Sequence, residues 1–153
     1  MKYTFYPDKL IIVITIICIV ALISMVYYLF LSKSIYSKIL TFSVICLIVY
    51  FLFKIPLWIR VEENSIQVKQ LIGSLRITNI ETITEFKKKE LNKTIRTFGN
   101  GGFGGYVGYF RNPDIGKFYM AAINRNELAK ITTKEGKVYV INYPSSLLNI
   151  NSK

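Results

Sequence analysis

From Leu10 to Leu31 the chain reads LIIVITIICIVALISMVYYLFL, 22 residues without a charge. At about 1.5 Å rise per residue, a helix of that length crosses a hydrocarbon core of about 30 Å, so residues 10–31 are expected to form a transmembrane helix. A second run, ILTFSVICLIVYFLF from Ile39 to Phe53, holds 15 uncharged residues. Lys54 can snorkel, and IPLWI carries the apolar stretch on to Ile59, which predicts a second span over residues 39–58. The short link SKSIYSK, residues 32–38, turns the two spans into a hairpin, with residues 1–9 as an N-terminal flank. Tyr27, Tyr28, Tyr36, Tyr50 and Trp58 fall toward the predicted ends, where amphipathic rings favour the headgroup level. Two buried apolar helices would swamp a soluble domain this small. A cleaved signal peptide fits poorly, because the apolar run is too long and no small-x-small site follows it.

Beyond residue 58 the period changes. LWIRV, then EENS, then SIQVKQLI reads as a hairpin, with Trp58, Ile59 and Val61 leading in and Ile66 and Val68 alternating with polar residues. Gly73 and Ser74 allow a tight turn before LRITNI, and ETITEFKKKEL follows with Ile83 and Phe86 as core positions. After a glycine-rich segment, KFYMAAIN resumes a strand, and LAKITT, KEG and KVYVINY form a last hairpin turning at Gly136. Pro144–Ile150 contains Ser145 and Ser146 before Leu147 and Leu148, a short helix after a polar cap. About seven short strands and a short helix over residues 59–153 predict a small antiparallel barrel or sandwich.

Charge orients this arrangement. From residue 60 onward there are 15 Lys and Arg against eight Asp and Glu, a net +7 within the chain's +11. The link between the spans offers Lys33 and Lys38, whereas Lys2, Lys9, Lys54, Arg60, Lys69 and Arg76 lie near the other ends. The positive-inside rule therefore predicts both termini and the β-domain on the cytoplasmic side of the membrane. Cys18 and Cys46 both fall within the predicted spans as apolar packing residues, with no disulfide or metal-ligand spacing. Histidine is absent, which removes Ser-His and Cys-His nucleophilic sites and most zinc sites.

The segment FGNGGFGGYVGYF, Phe98–Phe110, concentrates glycine and aromatic residues. It lacks the Gly-Lys-Ser/Thr of a phosphate loop and the strand, helix and distal acid of a dinucleotide fingerprint, so no nucleotide and no other cofactor is predicted. One reading is structural, with Phe103, Tyr106, Tyr109 and Phe110 packing over the β-domain or against the transmembrane hairpin. The other makes it an interaction loop, in which Phe98, Phe103, Tyr106, Tyr109, Phe110 and Arg111 dock a partner or enter the headgroup layer. The run KKKELNKTIR places Lys87, Lys88, Lys89, Lys93 and Arg96 together, the best sequence candidate for contact with anionic lipid headgroups. Its alternative is a solvated strand end. In NRNE, Arg125 suits a carboxylate or phosphate grip, but a polar turn held by Asn124 and Asn126 is the preferred reading. The acids are scattered and specify no general acid–base pair, and no catalytic residue or metal site is predicted. Nucleic acid ranks low as a partner, because much of the positive excess flanks the spans.

The order IRVEENSIQVKQLIGSLRITNIETITEF, then FGNGGFGGYVGYFRNPDIGKFYMAAINRNELAKITTKEGKVYVINYP, resembles bacterial pleckstrin-homology-like (PH-like) domain proteins of the membrane-anchored type. The resemblance spans roughly Trp58–Pro144 and is most specific over Phe98–Asn126. It implies a seven-stranded, strongly bent antiparallel barrel with a C-terminal helix, for which PSSLLNINSK is shorter than usual. It implies no catalytic residues. The expected function is a non-enzymatic binding or scaffold module at the membrane. The bilayer, anionic headgroups, a membrane or cytoplasmic protein, or a second copy of the chain are its expected partners.

Overall fold

The computed structural model describes residues 1–148, the side chain of Lys88 excepted, so Ile150 of the expected C-terminal turn lies outside the described residues. Two long helices precede a β-rich domain. The first, α1, runs Lys9–Leu31 and the second, α2, runs Ile35–Phe53. Both are long and apolar enough to cross a membrane, and almost none of either is covered by the rest of the chain, which makes them candidate membrane spans rather than core helices. The second helix begins four residues before Ile39 and stops at Phe53. Pro56 cannot donate a helical hydrogen bond and disfavours helical geometry at Ile55, so IPLWI leaves the helix and enters a strand.

Ten strands and two short helices complete the described chain: β1 Lys2–Thr4, β2 Pro56–Val61, β3 Ser65–Gln70, β4 Ser74–Thr78, β5 Ile80–Glu85, α3 Lys88–Asn92, β6 Ile95–Gly101, β7 Tyr106–Asn112, β8 Gly116–Ala122, β9 Leu128–Thr133, β10 Val138–Asn142 and α4 Ser145–Leu148. They form a four-stranded sheet ordered β1-β2-β3-β4 and a six-stranded sheet ordered β5-β9-β10-β8-β7-β6. The expected β-domain with its short terminal helix is present, but the sheets pack on each other instead of closing into one barrel. The pairing of β10 with β8 is parallel, with Val140 opposite Met120; the other pairings are antiparallel.

Alternation explains the layers. Ile59, Ile66, Val68 and Ile77 of the smaller sheet pack onto Ala121, Ala129, Ile131 and Ile141 of the larger one and onto Tyr143 just after β10. The opposite face of the larger sheet buries Tyr106, Phe110, Phe118, Met120, Ala122 and Val140 with Phe86, Leu128 and Ile11 of α1. Strand β10 thus feeds both cores, with Val140 on one face and Ile141 on the other, as a central strand covered on two sides must. Ile11 is 1% exposed, so the base of α1 is itself part of the domain core. Leu147 and Leu148 of α4 pack against the core between the sheets.

Candidate functional site

The glycine-aromatic segment forms a hairpin of β6 and β7, and its tip is the seat of the domain on the helices. Gly99 lies directly opposite Gly108. A Cβ on Gly99 would stand 2.7 Å from the Gly108 Cα and against the Val107 carbonyl, so the two backbones approach as only glycine allows. The Asn100 side chain clamps the tip, donating to the Phe103 carbonyl and accepting from the Phe103 N–H at 3.0 Å. Gly102 rests on Ile14 of α1, where a Cβ would come within 2.9 Å of Cδ1, and Gly104 rests against Ile55. The Gly104 N–H donates to Thr15 Oγ1 at 2.8 Å, and that hydroxyl donates in turn to the Ile11 carbonyl at 2.6 Å. Phe98 meets Phe51 of α2 with ring centroids 6.1 Å apart.

Of the side chains expected in an interaction loop, Phe103, Tyr106 and Phe110 are buried in the domain, whereas Phe98, Tyr109 and Arg111 face outward, Phe98 at 60% exposure. Tyr109, Tyr119 and Tyr139 form an edge-on row across β7, β8 and β10, with centroid separations of 5.2 and 6.4 Å. The row lines a groove of about 450 Å³ with Leu75, Lys117 and Lys137. Burial pushes the Tyr119 hydroxyl above its usual pKa, and burial does the same to Tyr143.

A second tie was not visible in the sequence. Residues 2–4 pair with β2, Lys2 opposite Arg60 and Thr4 opposite Trp58, and the Val61 N–H donates to the Met1 carbonyl at 2.9 Å. Asp8, where the chain enters α1, accepts from the Arg125 N–H at 2.9 Å and from Asn126 Nδ2 at 3.2 Å. Asn124 Nδ2 donates to the Tyr6 carbonyl at 2.8 Å, and Asn142 Nδ2 donates to Asn124 Oδ1 at 2.7 Å. The Arg125 guanidinium lies 5.1 Å from the Tyr106 ring centre, and its Nε donates to the Tyr106 hydroxyl. NRN is therefore a polar turn that locks the N-terminal arm to the domain. The only local signal for that arm is the alternation of Tyr3 and Phe5, both packed against the inter-sheet core.

The lysine-rich run lies elsewhere. Lys87 precedes α3, Lys89 lies within it, and Lys93 and Arg96 follow it, all exposed. The Lys87 N–H donates to Glu90 Oε2 at 2.7 Å, and Lys93 Nζ pairs with Asp114 Oδ2 at 3.0 Å. Asn112 Nδ2 holds α3 by donating to the Glu90 carbonyl at 2.7 Å. Asn112 ends β7, whose other end is the hairpin tip, so α3 is about 20 Å along that strand from the contact with α1 at about 3.3 Å per residue. Among the described residues, every buried side-chain nitrogen and oxygen has a hydrogen-bond partner, so the buried asparagines are structural.

The sequence profile of a family described as bacterial PH domain matches residues 57–143, which runs from within β2 through β10. No curated protein and no solved structure matches the chain.

Proposed function

The chain belongs to the bacterial PH domain family, and from that premise we propose that it is a membrane-anchored, non-enzymatic binding module whose β-domain and termini face the cytoplasm. The seat carries this reading. The hairpin tip rests on Ile14, Thr15 and Ile55, and β1 completes a sheet across the point where the chain enters and leaves the two helices. A domain held this way stays at the headgroup layer and presents its outer surface there. PH-like domains are in general binding modules without catalytic residues, and the scattered acids of this chain agree with that role. The partners we assign are anionic lipid headgroups, contacted through Lys87, Lys88, Lys89, Lys93 and Arg96.

Residues 1–15 are part of the fold, so the test uses the full chain, reconstituted in nanodiscs of phosphatidylcholine with and without phosphatidylglycerol. A lipid bound only by the folded state raises the melting temperature. We expect a rise with phosphatidylglycerol at low salt that high salt removes and that a Lys87→Glu, Lys88→Glu, Lys89→Glu variant shows to a smaller extent. An identical rise in the variant would overturn the assignment to these lysines.

A second reading is favoured by one observation, the outward Phe98 and Tyr109 at 60% and 49% exposure. In it these rings and Arg111 dock a protein partner or a second copy. A Phe98→Ala, Tyr109→Ala variant that lowers the mass of the detergent-solubilised particle supports self-association, and an unchanged mass rejects it.

A further inference from the structure

We propose that the outer face of β1, β2 and β3 is a second lipid-contacting surface, on which Lys2, Arg60 and Lys69 bind phosphates of anionic lipids while Trp58 lies at the headgroup level. The inference rests on the membrane-anchored reading above and goes beyond it by naming a surface that the lysine-rich run does not include. Strand register assembles the face. Lys2 is opposite Arg60, Arg60 opposite Gln67 and Gln67 opposite Arg76; Thr4 is opposite Trp58 and Trp58 opposite Lys69. The intervening residues Tyr3, Ile59, Val61, Ile66, Val68, Leu75 and Ile77 point into the core, so these cations share the other side.

The cations are available. Lys2 Nζ lies 4.7 Å and Arg60 Cζ 5.6 Å from the centre of the Trp58 ring, gathering two positive charges on one indole. Arg76 is paired with Glu62 at 3.5 Å, but among the described residues no carboxylate lies within 4.0 Å of Lys2, Arg60 or Lys69. Two cations on a half-buried indole, with Lys69 opposite it in register and no carboxylate partner for any of the three among the described residues, match the phosphate and glycerol layers of an anionic leaflet in charge and polarity. Bare repulsion between them favours a face that meets counter-charge.

Location selects the bilayer as the occupant. Strand β1 precedes α1 by four linking residues and β2 follows α2 by two, so both are adjacent in the chain to candidate spans. Trp58 follows Phe53 by five residues and lies at most about 17 Å from the helix end at about 3.4 Å per residue. The β3–β4 turn is tied to that end, with the Ile72 N–H donating to the Phe53 carbonyl at 3.0 Å and the Leu71 N–H to the Ile55 carbonyl at 2.9 Å. Leu71 and Ile72 are 50% and 56% exposed there, apolar side chains beside the mouth of a membrane helix. These cations are thus fixed beside the helix end, whereas α3 is reached only at the far end of β7.

Trp58 is the only tryptophan in the chain, so intrinsic fluorescence reads this site alone. The full chain is reconstituted in phosphatidylcholine vesicles with and without phosphatidylglycerol, using lipids brominated high on the acyl chains as quenchers. We expect phosphatidylglycerol at low salt to shift Trp58 emission to the blue and raise quenching about twofold, an effect that high salt removes. A Lys2→Gln, Arg60→Gln, Lys69→Gln variant should lose the response, Lys69→Gln alone should reduce it, and the Lys87→Glu, Lys88→Glu, Lys89→Glu variant should keep it. Emission in phosphatidylcholine that matches wild type shows that each variant is folded. Equal emission and quenching in both vesicles, or a response that survives all three glutamines, overturns the proposal. A wild-type chain with no Trp58 response but with the nanodisc stabilisation intact would leave the lysine-run assignment standing and reject only this face; the reverse result would do the opposite.

Discussion

The lysine-rich helix α3 and the glycine-aromatic hairpin β6–β7 are joined end to end, and both stand out in the sequence, yet the chain uses them in opposite ways. The hairpin turns its glycines against backbone and helix, hides Phe103, Tyr106 and Phe110, and becomes the contact between the domain and the two long helices. Around α3, Lys87, Lys89, Lys93 and Arg96 stay exposed, with one exposed ion pair between Lys93 and Asp114. A cluster of glycines reports that something must come close, while a run of charge reports only that nothing apolar does. Neither names its neighbour.

The sharpest way to break this contrast is Gly99→Ala. Its Cβ would meet the Val107 carbonyl and the Gly108 Cα at a φ of +138°, and neither backbone group can step aside, so a loss of about 3 kcal/mol or more is expected. Gly136 also has positive φ, but nothing lies within 4 Å of its added Cβ, so Gly136→Ala should lose only about 1 kcal/mol. Chemical denaturation of the two variants in the same detergent separates close approach from turn geometry, and equal losses would contradict it. Asn100→Ala comes next. It leaves the Phe103 N–H and carbonyl without their partner in a buried tip, at about 2 kcal/mol on the same measurement.

Some of this was legible and some was not, for physical reasons. The helices announced themselves because an uncharged run of such length has few other stable uses, and the β9–β10 hairpin because its alternation and Gly136 agree. Phe98–Phe110 read as a loop because glycine within a strand weakens the strand pattern, yet its ends are β6 and β7. Strand β1 is three residues long and pairs with a segment more than fifty residues away, which no local period encodes. The parallel β8–β10 pairing and the insertion of β9 beside β5 are likewise set by distant partners. Thr15 sat inside an apolar run as one more helical residue. A hydroxyl there commonly bonds back to the i−4 carbonyl, as this one does to Ile11, but nothing in the sequence says that it also accepts from Gly104. Among the candidate loop residues, the sequence did not separate Phe103, Tyr106 and Phe110, which pack inward, from Phe98 and Tyr109, which do not.

Smaller effects sharpen the comparison further. Tyr119 meets Tyr109 of the hairpin edge-on, and burial raises its pKa in the folded state. Its contribution is complete below the unfolded value of about 10 and is lost as pH rises through the raised folded value. Tyr119→Phe should therefore lose less melting temperature than wild type between about pH 9 and about pH 11, and parallel losses would deny the burial effect. Lys93→Ala removes only the exposed pair with Asp114 and should change stability by less than about 0.5 kcal/mol. A larger loss on thermal or chemical melting would mean that α3 is a structural element after all.

The central claim is that the hairpin tip is bonded to α1, and amide hydrogen exchange of the full chain in nanodiscs measures it directly. In wild type, Gly102–Tyr106 should be protected through the Gly104 N–H bond to Thr15. Thr15→Val removes the acceptor while keeping the shape, and should speed exchange in that segment at least about tenfold with β9 and β10 unchanged, while Thr15→Ser should stay close to wild type. Rapid exchange of the tip in wild type, or no change in Thr15→Val, would mean that the domain is not seated on its own helices.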